Sequence, residues 1–355
     1  MADGGGRAGV GRNARAAWAA PQRPRSLPRS APGAGPKRPR RATIAGMNAP
    51  LPAHARRSRN AIEDADAGAV AGLFALPSPF PTELGTVRLL EAPDRCAATL
   101  AAQLVDGSYP KPFLLDQDGY RYLHFSLRFQ QTGMRIAAPH ALELAYTQGM
   151  MAFLLFNPRP RALLLVGLGG GSLIKFCHRH LPATDLTALE IDPTVIGFRD
   201  AFHIPPDDAR FRVIEADGVR FAAEDGGRSD VILVDAFDPA GVACALAGSG
   251  FYDHLYRRLS GNGVLVMNIA GDREDYAVHV GEIADAFDDR LLAMSVRDDG
   301  NYLLFAFKNP RFEPRWKWMR AIALELQGRL GLDFPTYAEH LERGQKLRLA
   351  QRMQR

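Results

Sequence analysis

From Thr86 onward the chain falls into short apolar segments whose spacing changes part-way along. TVRLLEA, PFLLD and YRYLHFSLRF are partly alternating and rich in aromatic and aliphatic residues, with turn signals at Asp106-Gly107 and Asp118-Gly119. They predict a small antiparallel strand module over 83–138. Pro139 then opens APHALELAYTQGMMAFLLF, whose apolar spacing is helical, and Asn157-Pro158 closes it. Beyond this point strand and helix periods alternate. ALLLVG, DLTALEID, RFRVIEAD, DVILVDAFD and GVLVMNIAG read as strands. SLIKFCHRHL, PTVIGFRDAF, SGFYDHLYRRL and DYAVHVGEIADAF read as helices, and LLAMSVRDDGNYLLFAFK reads as a terminal hairpin. That rhythm predicts an α/β domain over 139–310, with a mostly parallel sheet and helices on both faces. WKWMRAIALELQGRL and the segment after Pro335 predict C-terminal helices over 311–355.

Residues 1–82 carry no such pattern. The first 46 are rich in Gly, Ala, Pro and Arg, with too little apolar surface to offset the entropy of ordering, and 47–82 remain linker-like. The whole stretch is expected to be a disordered basic and Pro-rich tail and linker. Three readings stay open for the first 46 residues: a chain that begins in the cell at Met47, a basic arm, or a targeting peptide. Residues 1–60 hold 13 basic residues and one acid, Asp3, for a net +12; the other 295 hold 31 basic and 38 acidic residues, for a net −7. The pI near 9.2 therefore describes the tail. A nucleic-acid footprint should lie on a folded face, so this charge argues against nucleic acid as the main partner, with the arm a lesser option. The longest apolar run, around Met150–Phe156, is too short for a membrane helix. Cys96, Cys177 and Cys244 are scattered and without C-x-x-C spacing. They fit a reducing, cytoplasmic setting and argue against a disulfide scaffold or a zinc site, and no metal is expected.

Ligands of open parallel sheets bind at the C-terminal ends of the strands, and four such ends carry chemistry here. Gly167-Leu168-Gly169-Gly170-Gly171-Ser172 follows one strand and opens a helix, where glycines permit a tight turn and helix N–H groups face outward. Glu190, with Asp192 behind it, ends the next strand; it reads as a ribose acceptor or as a strand-end acid capping the following helix. Asp217 in EADG could accept from an adenine amino group or cap a helix. Asp235 and Asp238 leave the strand DVILVD three residues apart. Two such acids favour a cationic ligand, a polyamine or a sulfonium, over the alternative that the same pattern marks a capping turn. His178 and His180 stand i, i+2 and do not face one ligand; Trp316 and Trp318 read as packing anchors.

VGLGGGSL, ALEIDPTVI, EADG and the ungapped block VDAFDPAGVACALAGSGFY together resemble the spermidine synthase (polyamine aminopropyltransferase) family, most closely its bacterial spermidine-synthase-like branch. The similarity spans roughly 85–310. It implies a Rossmann-like S-adenosylmethionine-dependent methyltransferase fold with a small N-terminal β-domain. It implies decarboxylated S-adenosylmethionine as co-substrate, a polyamine as the small-molecule substrate, a role in polyamine biosynthesis and a homodimer. Gly167, Gly169, Gly171, Glu190 and Asp217 would hold the nucleoside. Asp235 would serve as general base, and Asp238, Tyr146 and Gln131 would bind substrate.

Departures from the family pattern keep other functions in view. Gly170 stands where the family's G-G-G-D-G has its acid, Val242 replaces a proline, and MSVRDDGN offers no match for a later substrate tyrosine. Loss of that acid moves weight toward methyl transfer from S-adenosylmethionine. An incomplete amine pocket would fit a non-catalytic nucleoside- or polyamine-binding homologue.

Overall fold

The computed structural model describes residues 72–353, apart from 127–128, 239–240, 243–245, 247, 249, 270–272 and 297–300. Side chains at 129–131, 237–238, 241–242, 273–276 and 346–353 also lie outside the described set.

The first sheet is antiparallel, with strands β1 (Phe74–Pro77), β2 (Thr86–Leu89), β3 (Phe113–Gln117), β4 (Tyr120–Ser126) and β5 (Phe129–Arg135) in chain order. Helix α1 (Ala97–Asp106) contributes Leu100 and Leu104, one turn apart, to a core shared with Leu76, Val87, Leu89, Phe113 and Leu115. Two elements here differ from the sequence expectation. β1 falls inside the stretch read as linker, because the Pro-rich surroundings of FALP conceal four residues that pair with β2. α1 escapes notice because its buried stripe is two leucines among alanines.

The second sheet has the strand order β13-β14-β12-β9-β6-β7-β8. Its members are β6 (Ala162–Val166), β7 (Asp185–Glu190), β8 (Phe211–Glu215), β9 (Ser229–Val234), β12 (Leu259–Ile269), β13 (Leu291–Ser295) and β14 (Tyr302–Phe307). Only β14 is reversed, pairing antiparallel with both β12 and β13. The central strands are apolar on both faces, as a sheet covered on both sides requires. Leu163, Leu165, Val231, Leu233, Val264 and Val266 enter one core; Leu164, Val166, Ile232, Val234, Leu265 and Met267 enter the other. The chain runs β6 to β7 to β8 in one direction and resumes at β9 on the other side of β6, so the order reverses at β6.

The helices are α2 (Ala145–Met150), α3 (Ser172–His180), α4 (Pro193–Gly197), α5 (Gly218–Ala223), α6 (Phe251–Arg258), α7 (Arg273–Ala286), α8 (Trp316–Leu330) and α9 (Phe334–Met353). The helix expected to start at Pro139 begins only at Ala145: the Leu142 carbonyl accepts from Gln148 Nε2 at 2.7 Å, and Leu144 is extended. It then tightens into a 3₁₀ turn, Met151–Leu155, with all five residues buried. α4 is likewise shorter than PTVIGFRDAF, and His203 beyond it takes a positive φ of 54°. Trp316 anchors α8 to α9 by donating from Nε1 to Gln345 Oε1 at 2.7 Å, while Trp318 is exposed.

Two buried cations stand out in this frame. Arg121 of β4, 2 % exposed, bonds Asp116 at 2.7 and 2.8 Å and also donates to the Ala201 carbonyl at 2.6 Å, tying the small sheet to the segment after α4. Lys175 of α3, 1 % exposed, donates to the Phe202 carbonyl at 2.7 Å and approaches Met134 Sδ at 3.2 Å. Burial pulls its ammonium down to about 7. The folded chain thus gives up this proton near neutrality, whereas the unfolded chain holds it into the ordinary lysine range. Wild-type stability should therefore rise from pH 7 toward that range. Lys175→Met is expected to be more stable at pH 7, by about 2 kcal/mol, and to lack this rise. Urea melts of both proteins at pH 7 and 9 check both parts; equal slopes would contradict them.

Candidate active site

The strand register brings the chemistry into one row. Val166 pairs with Leu189 of β7 on one side and with Val234 of β9 on the other, so Glu190, Gly167 and Asp235 leave three adjacent strands side by side. Gly167 N–H donates to the Leu189 carbonyl at 3.0 Å, and Asp235 N–H to the Val166 carbonyl at 2.9 Å. Gly167 has φ +94°, and any Cβ there would collide with the Asp235 backbone carbonyl. Glycine is required on both counts. Gly169 and Gly171 complete the turn, Gly171 standing at the N-cap of α3.

Glu190 collects backbone donors from two directions. Oε2 accepts from Leu168 N–H at 3.1 Å and Gly169 N–H at 3.4 Å; Oε1 accepts from Ile191 N–H at 2.9 Å and Asp192 N–H at 3.0 Å. The carboxylate therefore stitches the glycine loop to the end of β7. The cap at Pro193 is Asp192, which accepts from Thr194 N–H at 2.7 Å, so the strand-end reading of Glu190 as a cap does not hold. Ile191 beside it is 65 % exposed and gives the row an apolar lip. Asp217 is a helix cap: Oδ1 accepts from Val219 N–H at 2.8 Å and Arg220 N–H at 3.4 Å. It is also next to Glu190, because Ala216 N–H donates to the Glu190 carbonyl at 2.9 Å.

Asp235 is partly open at its edge but closely packed around its carboxylate. Burial pushes the carboxyl up to about 6, opposed by two donors. Asn268 Nδ2 of β12 bonds Oδ1 at 3.0 Å, and Tyr146 Oη of α2 bonds Oδ2 at 3.3 Å. The structure thus joins Asp235 to Tyr146, which the sequence analysis assigned to the substrate, and to Asn268, which the sequence reading missed. Asp238 lies in a two-residue strand, β10 (Phe237–Asp238), paired with β11 (Gly241–Val242). Its side chain and that of Gln131 in β5 lie outside the described set, so those two substrate-binding expectations carry no geometry.

Gly170 is enclosed. A Cβ there would meet Thr132 Cγ2 at 2.5 Å and the Phe202 ring at 3.1 Å. A larger residue, an acid included, would have to displace Thr132. His178 bonds Asp208 at 3.1 Å, whereas His180 packs on Phe176 with ring centroids 4.4 Å apart, so the two imidazoles serve different neighbours. Cys177 is buried, which pushes its thiol up to about 12 and removes its nucleophilic character at neutral pH. Open cavities of about 370 Å³ beside α4 and about 740 Å³ beside α3 include neither Glu190 nor Asp235.

Residues 143–277 match the family model described as the spermine/spermidine synthase domain. A polyamine aminopropyltransferase from Chromobacterium violaceum is 32% identical over 234 residues, which is 66% of this chain and 90% of that protein. The chain belongs to the spermine/spermidine synthase family. As a member of it, the protein is a transferase. A second polyamine aminopropyltransferase, from Neisseria meningitidis serogroup A, is 31% identical over 228 residues, 64% of this chain and 87% of that one. Among solved structures, a spermidine synthase in complex with the transition state analogue AdoDATO superposes with a TM-score of 0.50 at 17% identity, covering 65% of this chain and 79% of that one. At that identity the likeness speaks for the fold, and the α/β fold with its separate antiparallel sheet is the family's. Among the described residues no helix is long and apolar enough to cross a membrane.

Proposed function

We propose that this family member transfers an aminopropyl group from decarboxylated S-adenosylmethionine to an amine such as putrescine, releasing methylthioadenosine. The observation that carries the reading is Asp235: a desolvated carboxylate, held by two neutral donors, at the strand end beside the glycine loop. An alkylamine resembles lysine, with a pKa of about 10.4, and is mostly protonated at pH 7. Asp235 would attract that cation, orient it and take one proton. The freed nitrogen lone pair forms a bond to the methylene carbon beside the sulfonium. The carbon–sulfur bond breaks, and its electrons neutralise the sulfur. In this reading Glu190 and the glycine loop hold the nucleoside, the Ile191 side chain packs against its base, and Asp217 faces its far edge. Asp238, Tyr146 and Gln131 serve the amine. We assign the activity to the cytoplasm and to a homodimer.

One observation favours a second reading. Gly170 offers no carboxylate to the cationic tail of the donor, and Thr132 blocks the space for one. S-adenosylmethionine, whose tail carries a carboxylate, would meet less repulsion there, and the reaction would then be methyl transfer. The test pairs both sulfonium donors with putrescine and measures methylthioadenosine against S-adenosylhomocysteine. Methylthioadenosine and spermidine are expected over many turnovers. S-adenosylhomocysteine alone would establish the second reading, and no product with either donor would leave a binding protein.

A further inference from the structure

β12 is apolar along its inner length except at one position. Val264, Leu265, Val266, Met267 and Ile269 are all buried in the two cores; Asn268, 1 % exposed, is buried among them. It lies on the face of Val266 and opposite Leu303 of β14. Its Nδ2 donates to Asp235, but its Oδ1 is buried and has no hydrogen-bond partner among the described residues. A buried acceptor left unmatched weakens a fold, and an apolar side chain of similar volume would suit these neighbours better. Packing therefore does not account for an asparagine here, whereas the contact to Asp235 does.

We propose that Asn268 is a positioning residue: its amide fixes the Asp235 carboxylate through Oδ1, and so turns Oδ2, the oxygen shared with Tyr146, toward the incoming amine. The inference rests on the aminopropyl-transfer reading and adds to it a residue that acts through the base. Register explains how it reaches: Met267 pairs with Val234 in the parallel β12–β9 ladder, which puts Asn268 and Asp235 next in line. Among the described residues, the groups that face Asp235 are Tyr146 from α2, Asn268 from β12 and the backbone of the glycine loop after β6, with Glu190 two strands away. Asp238 follows in the chain, its side chain outside the described set. An amide N–H donated to a carboxylate favours the charged form, so removing it should make Asp235 hold its proton to higher pH.

The experiment compares wild type, Asn268→Leu and the isosteric Asn268→Asp in the full chain. Three measurements are made: melting temperature, pH dependence of kcat and KM for putrescine, and titration of Asp235 by carbon-13 NMR of labelled aspartate, assigned with Asp235→Asn. Asn268→Leu trades one unmatched buried acceptor, Asn268 Oδ1, for another, Asp235 Oδ1, so its melting temperature is expected to stay near that of wild type while kcat falls about 100-fold with little change in KM. Its acid limb and its Asp235 titration should both move to higher pH. Asn268→Asp should move the titration further still, because two carboxylates in contact do not ionise together, and it carries the test alone if the leucine variant does not fold. An unchanged Asp235 titration in both variants overturns the proposal, as does loss of activity matched only by loss of stability. The titration needs no turnover. A wild-type chain that makes no methylthioadenosine while the titration moves as expected would therefore sink the aminopropyl reading and leave the Asn268–Asp235 link standing.

Discussion

Asp235→Asn is expected to lose about 10²- to 10⁴-fold in kcat, the range a positioned proton acceptor contributes, while methylthioadenosine binds as it does to wild type. The substitution keeps the shape, and an amide still accepts from Asn268 Nδ2. Glu190 and the glycine loop, to which the proposed reaction assigns the nucleoside, are untouched. What disappears is the charge that draws the ammonium and the site that takes its proton. The variant should also be more stable than wild type at pH 7. Burial holds the Asp235 carboxyl up to about 6, above its ordinary value, so the folded chain binds this proton more tightly than the unfolded chain. Wild-type stability accordingly falls as pH rises from the ordinary aspartate range through about 6, and Asp235→Asn escapes that loss. In wild type, turnover should decline below about pH 6 as the base fills with its proton. Steady-state rates across pH, calorimetry with methylthioadenosine and melting at pH 4.5 and 7 decide the matter. A variant with near-wild-type kcat would remove Asp235 from the reaction.

Glu190→Gln should show the opposite division. The glutamine has the same shape, but one of its terminal atoms is an amino group, and both oxygens of Glu190 face backbone N–H donors. Whichever way the amide turns, donor meets donor, and either the Leu168–Gly169 pair or the Ile191–Asp192 pair is left without an acceptor. Hydrogen bonds to a charged group contribute roughly 1.5–3 kcal/mol each. If Glu190 is the proposed ribose acceptor, its loss together with the loop contacts should weaken methylthioadenosine binding by about 100-fold or more, at about 1.4 kcal/mol per tenfold. The proton-transfer step should change much less once donor is saturating. Calorimetry and the ratio of kcat to donor KM separate the two effects. An unaltered affinity in Glu190→Gln would mean that the nucleoside binds elsewhere.

Much of this site is legible in the sequence because a parallel sheet converts strand ends into neighbours. ALLLVG, DLTALE and DVILVD each end in a chemically distinct residue, and the order of strands places those ends in one row. Asn268 was in plain view in GVLVMNIAG, yet a polar residue in an apolar strand says nothing until the register is known. The β12–β9 ladder supplies it. The helix at Pro139 failed for a different reason. Proline favours a first helical turn, but Gln148 binds the Leu142 carbonyl and the backbone stays out of helix until Ala145. For α4 the apolar spacing of PTVIGFRDAF outlasts the helix, because Phe198, Ala201 and Phe202 can be buried from a looser path as well. Asp217 is the most ambiguous of the acids. It is a cap by its bonds and a neighbour of Glu190 by its place, and both follow from standing at the end of β8.

The Arg121 contact bears on how this architecture can change. A guanidinium with 2 % exposure bonds Asp116 in its own sheet and donates a further N–H to the Ala201 carbonyl beyond α4, so parting the two would leave that carbonyl without this donor while the charge stayed paired. The Arg121 contact thus links the small sheet to the segment after α4, and a chimera that exchanged the small sheet would have to keep an arginine at 121 to satisfy the Ala201 carbonyl.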